Sequence, residues 1–471
     1  MLASGRFPIS LWDFLLVLSG SLIAIALVPH YDYIAPGRLS HSGIALSLGL
    51  LLPMVRAAIV RLDAIFTVEY LILFGLVFWV TFDAAQGAYG MWGISREAII
   101  TVYISITVFA IAMLATSVTL RYFKFRPIPY WSPPITGSFL FFAIIFCFFC
   151  GMATVFLSCG PSISCFVDGI LAPRFASVWR VVQFGNWDTF LLRLRLLGYL
   201  ILPLVVLLRY MEGRTSWRVV FGIILGIIFL LMLVQGGGRR QVGVIIGATI
   251  MVWLVINRPL NWRHVVRSVL AVVVLITLME AMLTWRNEGI GALFESKVVD
   301  NSKERPGLIH IDRNLYYFAL LEDIVPAREA HTGWLGVYSI VASTIPGSIL
   351  PNKPLYNVID IRNYLYWFRP ATWNWTCSAV CEFYLIGGVP IVFLESILFG
   401  VFAYFGNGLL ERRGGLETSI IYGVYVMTLF IGMRALREIL IIGLVVVGLY
   451  SMFYMRKVVL RKWRQMRLEN V

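Results

Sequence analysis

The sequence is poor in charged residues and in the residues that build metal or nucleotide sites. Only 14% of its 471 residues are charged, and it has six cysteines and five histidines. The histidines are scattered, so we predict no metal site. No GxxxxGK[ST] loop is present, which argues against ATP-driven transport within this chain. The rest is strongly apolar: 59% of the residues are hydrophobic and the mean hydropathy is +0.83, which excludes an ordinary soluble fold.

Apolar segments of about 20 residues recur along the whole chain, and an α-helix needs roughly that length to cross ~30 Å of hydrocarbon. We therefore predict an all-α integral membrane protein, organised as a single polytopic membrane domain over 1–471. No small-residue cleavage site follows the first segment, so we expect it to be a retained helix. The predicted transmembrane helices number about twelve and lie at 10–29, 43–60, 66–84, 97–118, 137–157, 196–211, 217–235, 241–257, 264–284, 386–410, 418–433 and 438–455.

Basic residues in the short connections predict the orientation of these helices. One alternating set of connections is rich in arginine, for example at 56–61, 209–218 and 258–267, and the basic C-terminal tail falls on the same side. We expect that side to be cytoplasmic, with both termini inside. The long connection at 286–385 then forms a large periplasmic loop. Its apolar and aromatic pieces predict short helices that cap the outer mouth of the bundle.

Several arginines lie at helix ends on the predicted outer side, where the positive-inside rule does not explain them: Arg195, Arg239, Arg240, Arg434 and Arg437. A planar guanidinium group suits phosphate oxygens, so these residues predict binding of an anion. Contacts with lipid headgroups are the alternative explanation. On the same side, either Cys159 and Cys165 or Cys377 and Cys381 could form a disulfide if the compartment is oxidising.

Three stretches on the predicted outer side occur in a characteristic order. They are GGGRRQ at 236–241, IPGSILPNKP at 345–354 and SAVCEFYLIGGVPIVFLESILFG at 378–400. In this order, within about twelve spans and with one large loop before the last three, they resemble the oligosaccharide repeat-unit polymerases, the O-antigen polymerase (Wzy) family. The resemblance covers about 217–400. The chain departs from the family pattern at Gly347, where the family has arginine, and at Leu385-Ile386-Gly387, where Asn-Phe-Gly is common.

The resemblance implies a glycosyltransferase with a GT-C-like bundle in the bacterial inner membrane. Such an enzyme would transfer a glycan from one undecaprenyl diphosphate to a repeat unit on another, on the periplasmic side, without a metal or other cofactor. It implies undecaprenyl-diphosphate-linked oligosaccharide and membrane lipids as partners, leaves room for a chain-length regulator protein, and gives no role to nucleic acid. Arg239, Arg240, Arg313, Arg434, Arg437, Arg195 and Lys353 would bind the substrate.

The acceptor hydroxyl needs a general base, and the diphosphate leaving group needs positive charge. Glu382, just before the tenth predicted span, is the first candidate base; a carboxylate favoured by a helix N-terminus is its structural alternative. His331 is the second, because ligase-like sites resemble this one and use a loop histidine, and Asp312 is the third; each could equally be an ordinary surface residue. Glu280 and Glu395 lie deeper in predicted spans and could be functional or structural.

Two other functions fit parts of the pattern. An O-antigen ligase would use the same diphosphate chemistry and differ only in its acceptor. A flippase or exporter of lipid-linked oligosaccharide would need charges along a path through the midplane, whereas the arginines here cluster at helix ends.

Overall fold

A computed structural model gives the fold of the chain. It describes residues 9–30, 33–34, 37–88, 91–92, 94–123, 135–160, 162–172, 191, 193–235, 238–285, 309, 311–345, 349–352, 376–411 and 415–469. These residues are almost entirely helical, with one two-stranded antiparallel pair, β1 (Tyr33–Ile34) and β2 (Met91–Trp92). Apolar helices satisfy their own backbone hydrogen bonds, which is what a segment in lipid requires.

Helices coincide with every one of the predicted spans. Within the described residues they are α1 (Leu11–Ala26), α2 (Ser40–Val60), α3 (Val68–Ala85), α4 (Arg96–Tyr122), α5 (Gly137–Cys159), α6 (Ile163–Leu171), α7 (Ile201–Glu212, preceded by a 3-10 turn, Arg195–Leu200), α8 (Trp217–Gln235), α9 (Arg239–Ile256), α10 (Trp262–Trp285), α11 (Asn314–Ile324), α12 (Gly333–Ala342), α13 (Ala379–Glu411), α14 (Leu416–Gly432) and α15 (Leu436–Glu469).

Nine of the described helices are long and apolar enough to cross a membrane: α2, α3, α4, α5, α8, α9, α10, α13 and α15. The prediction of an all-α membrane protein is confirmed at this level. The other three predicted spans coincide with α1, α7 and α14, which are shorter. Close contacts between small residues draw helices together; a Cβ on Gly20 of α1 would lie 2.4 Å from the Cα of Gly49 in α2.

The tenth predicted span begins earlier than expected, because α13 starts at Ala379 instead of 386. Its first turns are separated from the rest by a kink at Gly387 and Gly388, where Gly388 has φ of +71°. Two glycines permit a break that a side chain would oppose. The motif from Ser378 to Tyr384 therefore lies in a short helical segment above a long apolar helix.

Buried ion pairs join helix ends at one face of the bundle. Asp13 in the first turn of α1 accepts hydrogen bonds of 2.7 Å from Nε and Nη2 of Arg56 near the end of α2. Glu69 in the first turn of α3 accepts from Nη2 of Arg121 at 2.9 Å and from Nδ2 of Asn407 at 2.7 Å. This face is the one for which the sequence predicts the cytoplasm, and the opposite face carries the candidate site.

Candidate functional site

Arginines from several helix ends meet at the second face of the bundle. Arg239 and Arg240 open α9, and Arg434 lies in the turn between α14 and α15. Arg437 is in the first turn of α15, and Arg195 opens the 3-10 turn before α7. These elements are distant in sequence, and they converge because antiparallel helices bring alternate ends to one face.

Three carboxylates hold the cluster together. Arg434 Nε pairs with Asp312 Oδ2, and its Nη1 lies 3.5 Å from Glu438 Oε1. The same Glu438 oxygen accepts from Arg240 Nη1 at 2.6 Å. Glu438 thus bridges two helix ends. At the edge, Arg239 Nη1 lies 4.0 Å from Glu280 Oε1 in α10.

The remaining arginines of this face lie close enough to these residues for electrostatic interaction. Arg195, Glu438 and Arg240 all lie within electrostatic reach of the Tyr199 hydroxyl. Arg193, a further outer arginine that lies before the sixth predicted span, is also a member. Burial lowers its pKa and the charge of Arg437 lowers it further, while Glu438 opposes the shift.

Among the residues that the structure describes, six guanidinium groups and three carboxylates thus lie together at this face. We call these nine residues the arginine cluster: Arg193, Arg195, Arg239, Arg240, Asp312, Glu280, Arg434, Arg437 and Glu438. Crowded like charges favour an anion that can enter and neutralise them.

The cluster is accessible even though protein surrounds it. The side chain of Asp312 is 34% exposed and that of Arg240 is 45% exposed, whereas that of Arg434 is only 7% exposed. Burial by itself raises the pKa of Asp312, but the charges of Arg434, Arg240 and Arg239 outweigh it and hold that pKa below its ordinary value. Asp312 is therefore ionised at neutral pH and is a weak base there.

The segment that carries Asp312 is fixed to the C-terminal end of α3. Gln86 Nε2 donates to the carbonyl of Ile309 at 2.6 Å, and the amide of Ile309 donates back to Gln86 Oε1 at 3.2 Å. Asn314 Nδ2 donates to the carbonyl of Trp79 at 2.8 Å. Trp79 lies in a π-helical turn, Val77–Thr81. In such a turn the regular hydrogen bonds between residues four apart are interrupted, so a backbone carbonyl can accept from another group.

Glu382 contacts the turn that holds Arg434. Its Oε2 accepts from the backbone N–H of Leu436 at 2.9 Å, at the start of α15. The N–H of Ala379 donates to the carbonyl of Met433 at 3.2 Å, so the two segments are joined twice. Glu382 thus caps a helix other than its own, an arrangement favoured by the helix dipole.

His331 lies at the kink of α13. Its ring meets that of Tyr384 edge-on, with centroids 5.9 Å apart, and a Cβ on Gly388 would be 3.5 Å from His331 Cε1. Both the N–H and the hydroxyl of the neighbouring Thr332 donate to the carbonyl of Leu385, at 2.8 and 3.1 Å. Within the described part of the chain, His331 Nδ1 is buried without a hydrogen-bond partner.

The fold thus brings together most of the predicted site residues, although not all of them. The arginine cluster contains six of them: Asp312, Arg195, Arg239, Arg240, Arg434 and Arg437. Glu382 contacts the turn between α14 and α15, which carries Arg434. Arg313 precedes α11 and lies within electrostatic reach of Asp83 and Tyr316. Lys353 lies outside the described residues, as do Gly236 and Gly237 of the glycine-rich turn.

Two carboxylates were missed by the sequence analysis. The sequence signal for Glu438 is its position four residues after Arg434, because residues four apart can contact each other along a helix. Glu322 had no such signal. It accepts from the Tyr384 hydroxyl at 3.3 Å, and burial raises its pKa. Glu395, by contrast, is only 1% exposed, and neither of its carboxylate oxygens has a hydrogen-bond partner among the described residues.

The chain was compared with protein-family models, with curated proteins and with solved structures, and no match was found.

Proposed function

We propose that this protein is a membrane-embedded glycosyltransferase that polymerises undecaprenyl-diphosphate-linked oligosaccharide repeat units. The arginine cluster supports the proposal most directly. A diphosphate carries several negative oxygens, and guanidinium groups bind such oxygens with two parallel hydrogen bonds. In this proposal the bundle has about twelve spans in a GT-C-like arrangement, including the shorter helices α1, α7 and α14.

The reaction we propose is a single displacement at the anomeric carbon of the donor glycan. The acceptor hydroxyl gives its proton to a carboxylate while its oxygen bonds to that carbon. The bond from the carbon to the diphosphate oxygen breaks, and the electron pair leaves with the diphosphate. Arg240 and Arg434 stabilise the developing charge, so the step requires no metal.

Glu382 is the base we propose. It lies in the first turn of α13 and contacts the turn that carries Arg434, so a hydroxyl beside a diphosphate in the arginine cluster would be close to it. Asp312 suits a different role, because its lowered pKa and its pairing with Arg434 make it a positioning group for that guanidinium. His331 remains the second candidate, through its unpartnered Nδ1.

A disulfide supports a location of this face outside the cytoplasm. Cys159 at the end of α5 is bonded to Cys165 in α6, whereas Cys377 and Cys381 are free thiols. The carbonyl of Ala172, just after α6, accepts from Gln235 Nε2 at 3.3 Å, next to the start of α9. Disulfides persist in oxidising compartments such as the periplasm. We therefore propose a bacterial inner-membrane protein with both termini in the cytoplasm.

The test is a reconstituted reaction. The purified full chain is mixed with lipid-linked repeat units, with and without EDTA, and the products are separated by size. We expect a ladder of polymers that persists in EDTA and that is lost in Glu382→Gln, a variant that keeps the shape of the side chain and its hydrogen bond to Leu436.

Other outcomes separate the alternatives. When lipid A core is added to the same mixture, transfer of the glycan to it without a ladder would indicate a ligase. Binding of the lipid-linked donor without turnover would favour a flippase. A normal ladder from Glu382→Gln would eliminate Glu382 as the base and transfer that role to His331.

A further inference from the structure

An apolar helix leads away from the arginine cluster. Helix α12 presents large side chains to its surroundings at Trp334, Leu335, Tyr338 and Val341, with Trp334 85% exposed and Tyr338 48% exposed. Positions 334, 338 and 341 are spaced so that they share one side of an α-helix. We call these four residues the α12 stripe.

The opposite side of α12 is built for close packing on the bundle. Gly336 and Ile340 are buried there. A Cβ on Gly336 would lie 3.0 Å from Cγ1 of Ile386, next to the kink of α13. The helix is therefore held firmly along the side of the bundle, and the orientation of the α12 stripe is fixed.

The C-terminal end of α12 reaches the arginine cluster. The carbonyl of Thr344, two residues after α12, accepts from Arg193 Nη2 at 3.2 Å. Arg193 in turn lies within electrostatic reach of Arg437 and Glu438. The end of the apolar helix thus lies beside a member of the arginine cluster.

We propose that the α12 stripe binds the polyprenyl chain of a lipid diphosphate whose diphosphate group occupies the arginine cluster. This inference rests on the proposed function and adds a subsite to it. The diphosphate and the chain of such a lipid are covalently joined. When the cluster binds the diphosphate, the chain therefore lies next to the cluster, where an apolar surface can contact it. Aromatic and aliphatic side chains suit an isoprenoid chain because contact removes both from water.

The test compares three probes that share a diphosphate and differ in chain: inorganic diphosphate, farnesyl diphosphate and undecaprenyl diphosphate. Each is used to displace radiolabelled undecaprenyl diphosphate from the purified full chain in nanodiscs. The variant is Trp334→Ala combined with Tyr338→Ala, and both side chains are exposed enough for their removal to spare the core. Trp262→Ala is the matched control, since Trp262 is 69% exposed at the start of α10, on the other face.

We expect the double variant to bind undecaprenyl diphosphate roughly tenfold or more weakly, because apolar contact is lost at two aromatic residues. Its affinity for inorganic diphosphate should stay within about twofold of wild type, a difference of well under 1 kcal/mol. The control should match wild type for all three probes. A double variant with unchanged preference for the long chain would refute the inference, and the α12 stripe would then contact bulk lipid only.

A crosslinking measurement separates the substrate from bulk lipid. Tyr338 is replaced by photoreactive benzoylphenylalanine, and the radiolabelled undecaprenyl diphosphate is added before irradiation. A crosslink that excess inorganic diphosphate abolishes supports the inference, while one that persists contradicts it. If no probe displaces the ligand and Arg240→Ala binds it as wild type does, the proposed function itself fails.

Discussion

The exposed guanidinium of Arg240 offers the sharpest test of the arginine cluster. Its Nη1 donates to Glu438 at 2.6 Å, and 45% of its side chain remains accessible to a ligand. A hydrogen bond to a charged group contributes about 1.5–3 kcal/mol. Arg240→Ala should therefore weaken binding of undecaprenyl diphosphate roughly ten- to hundredfold. Arg240→Lys keeps the charge and can keep the contact with Glu438, but it loses the planar fork, so we expect about tenfold weaker binding.

The measurement is displacement of radiolabelled undecaprenyl diphosphate from the full chain in nanodiscs, at two salt concentrations because exposed charges are screened. Arg218→Lys is the matched control. Its side chain is 34% exposed and Nη1 pairs with Glu212 at 2.9 Å, on the opposite face. Equal affinities for wild type, Arg240→Lys and Arg240→Ala would show that the arginine cluster is a structural ion-pair network and not a binding site.

Glu438→Gln removes a carboxylate that competes for Arg240 and Arg434, so it should tighten diphosphate binding severalfold in the same assay; weaker binding would mean that Glu438 chiefly positions the arginines. Glu69→Gln leaves the guanidinium of Arg121 buried without its charge partner and should cost about 3–5 kcal/mol, measured as a lower unfolding temperature; a wild-type value would contradict the burial of this pair. The pKa of Asp312 is lowered in the folded state, so its contribution to stability is present above its unfolded pKa of about 4 and is lost as the pH falls through the folded value. The excess stability of wild type over Asp312→Asn should therefore be constant near neutral pH and vanish in acid, and an excess that persists in acid would refute the assignment.

Local information was sufficient to place the helices. Each predicted span coincides with a helix, because the length and hydropathy of a membrane segment are properties of consecutive residues. The exception is the start of α13. The predicted span starts at 386, whereas the helix starts at Ala379, where the hydroxyl of Ser378 accepts from the N–H of Cys381 at 3.2 Å.

The sequence also identified arginines that share one face, since alternate helix ends meet there whatever the packing. It could not predict their partners. Arg434 pairs with Asp312 across 122 residues, and Glu382 caps α15 across 54. Such contacts depend on how the helices are arranged around one another, which hydropathy does not encode.

The sequence by itself determined that this is an all-α membrane protein, where its helices lie, and that arginines occur at the helix ends of the face with the candidate site. The tertiary structure alone decided that Glu438 joins Arg240 to Arg434, that His331 lies at the kink of α13 and that α12 reaches the arginine cluster. The length and hydropathy of a helix are properties of consecutive residues, so the sequence contains them directly. A hydrogen bond or an ion pair between helices forms only within a few ångströms, and that distance is set by the packing of the whole bundle.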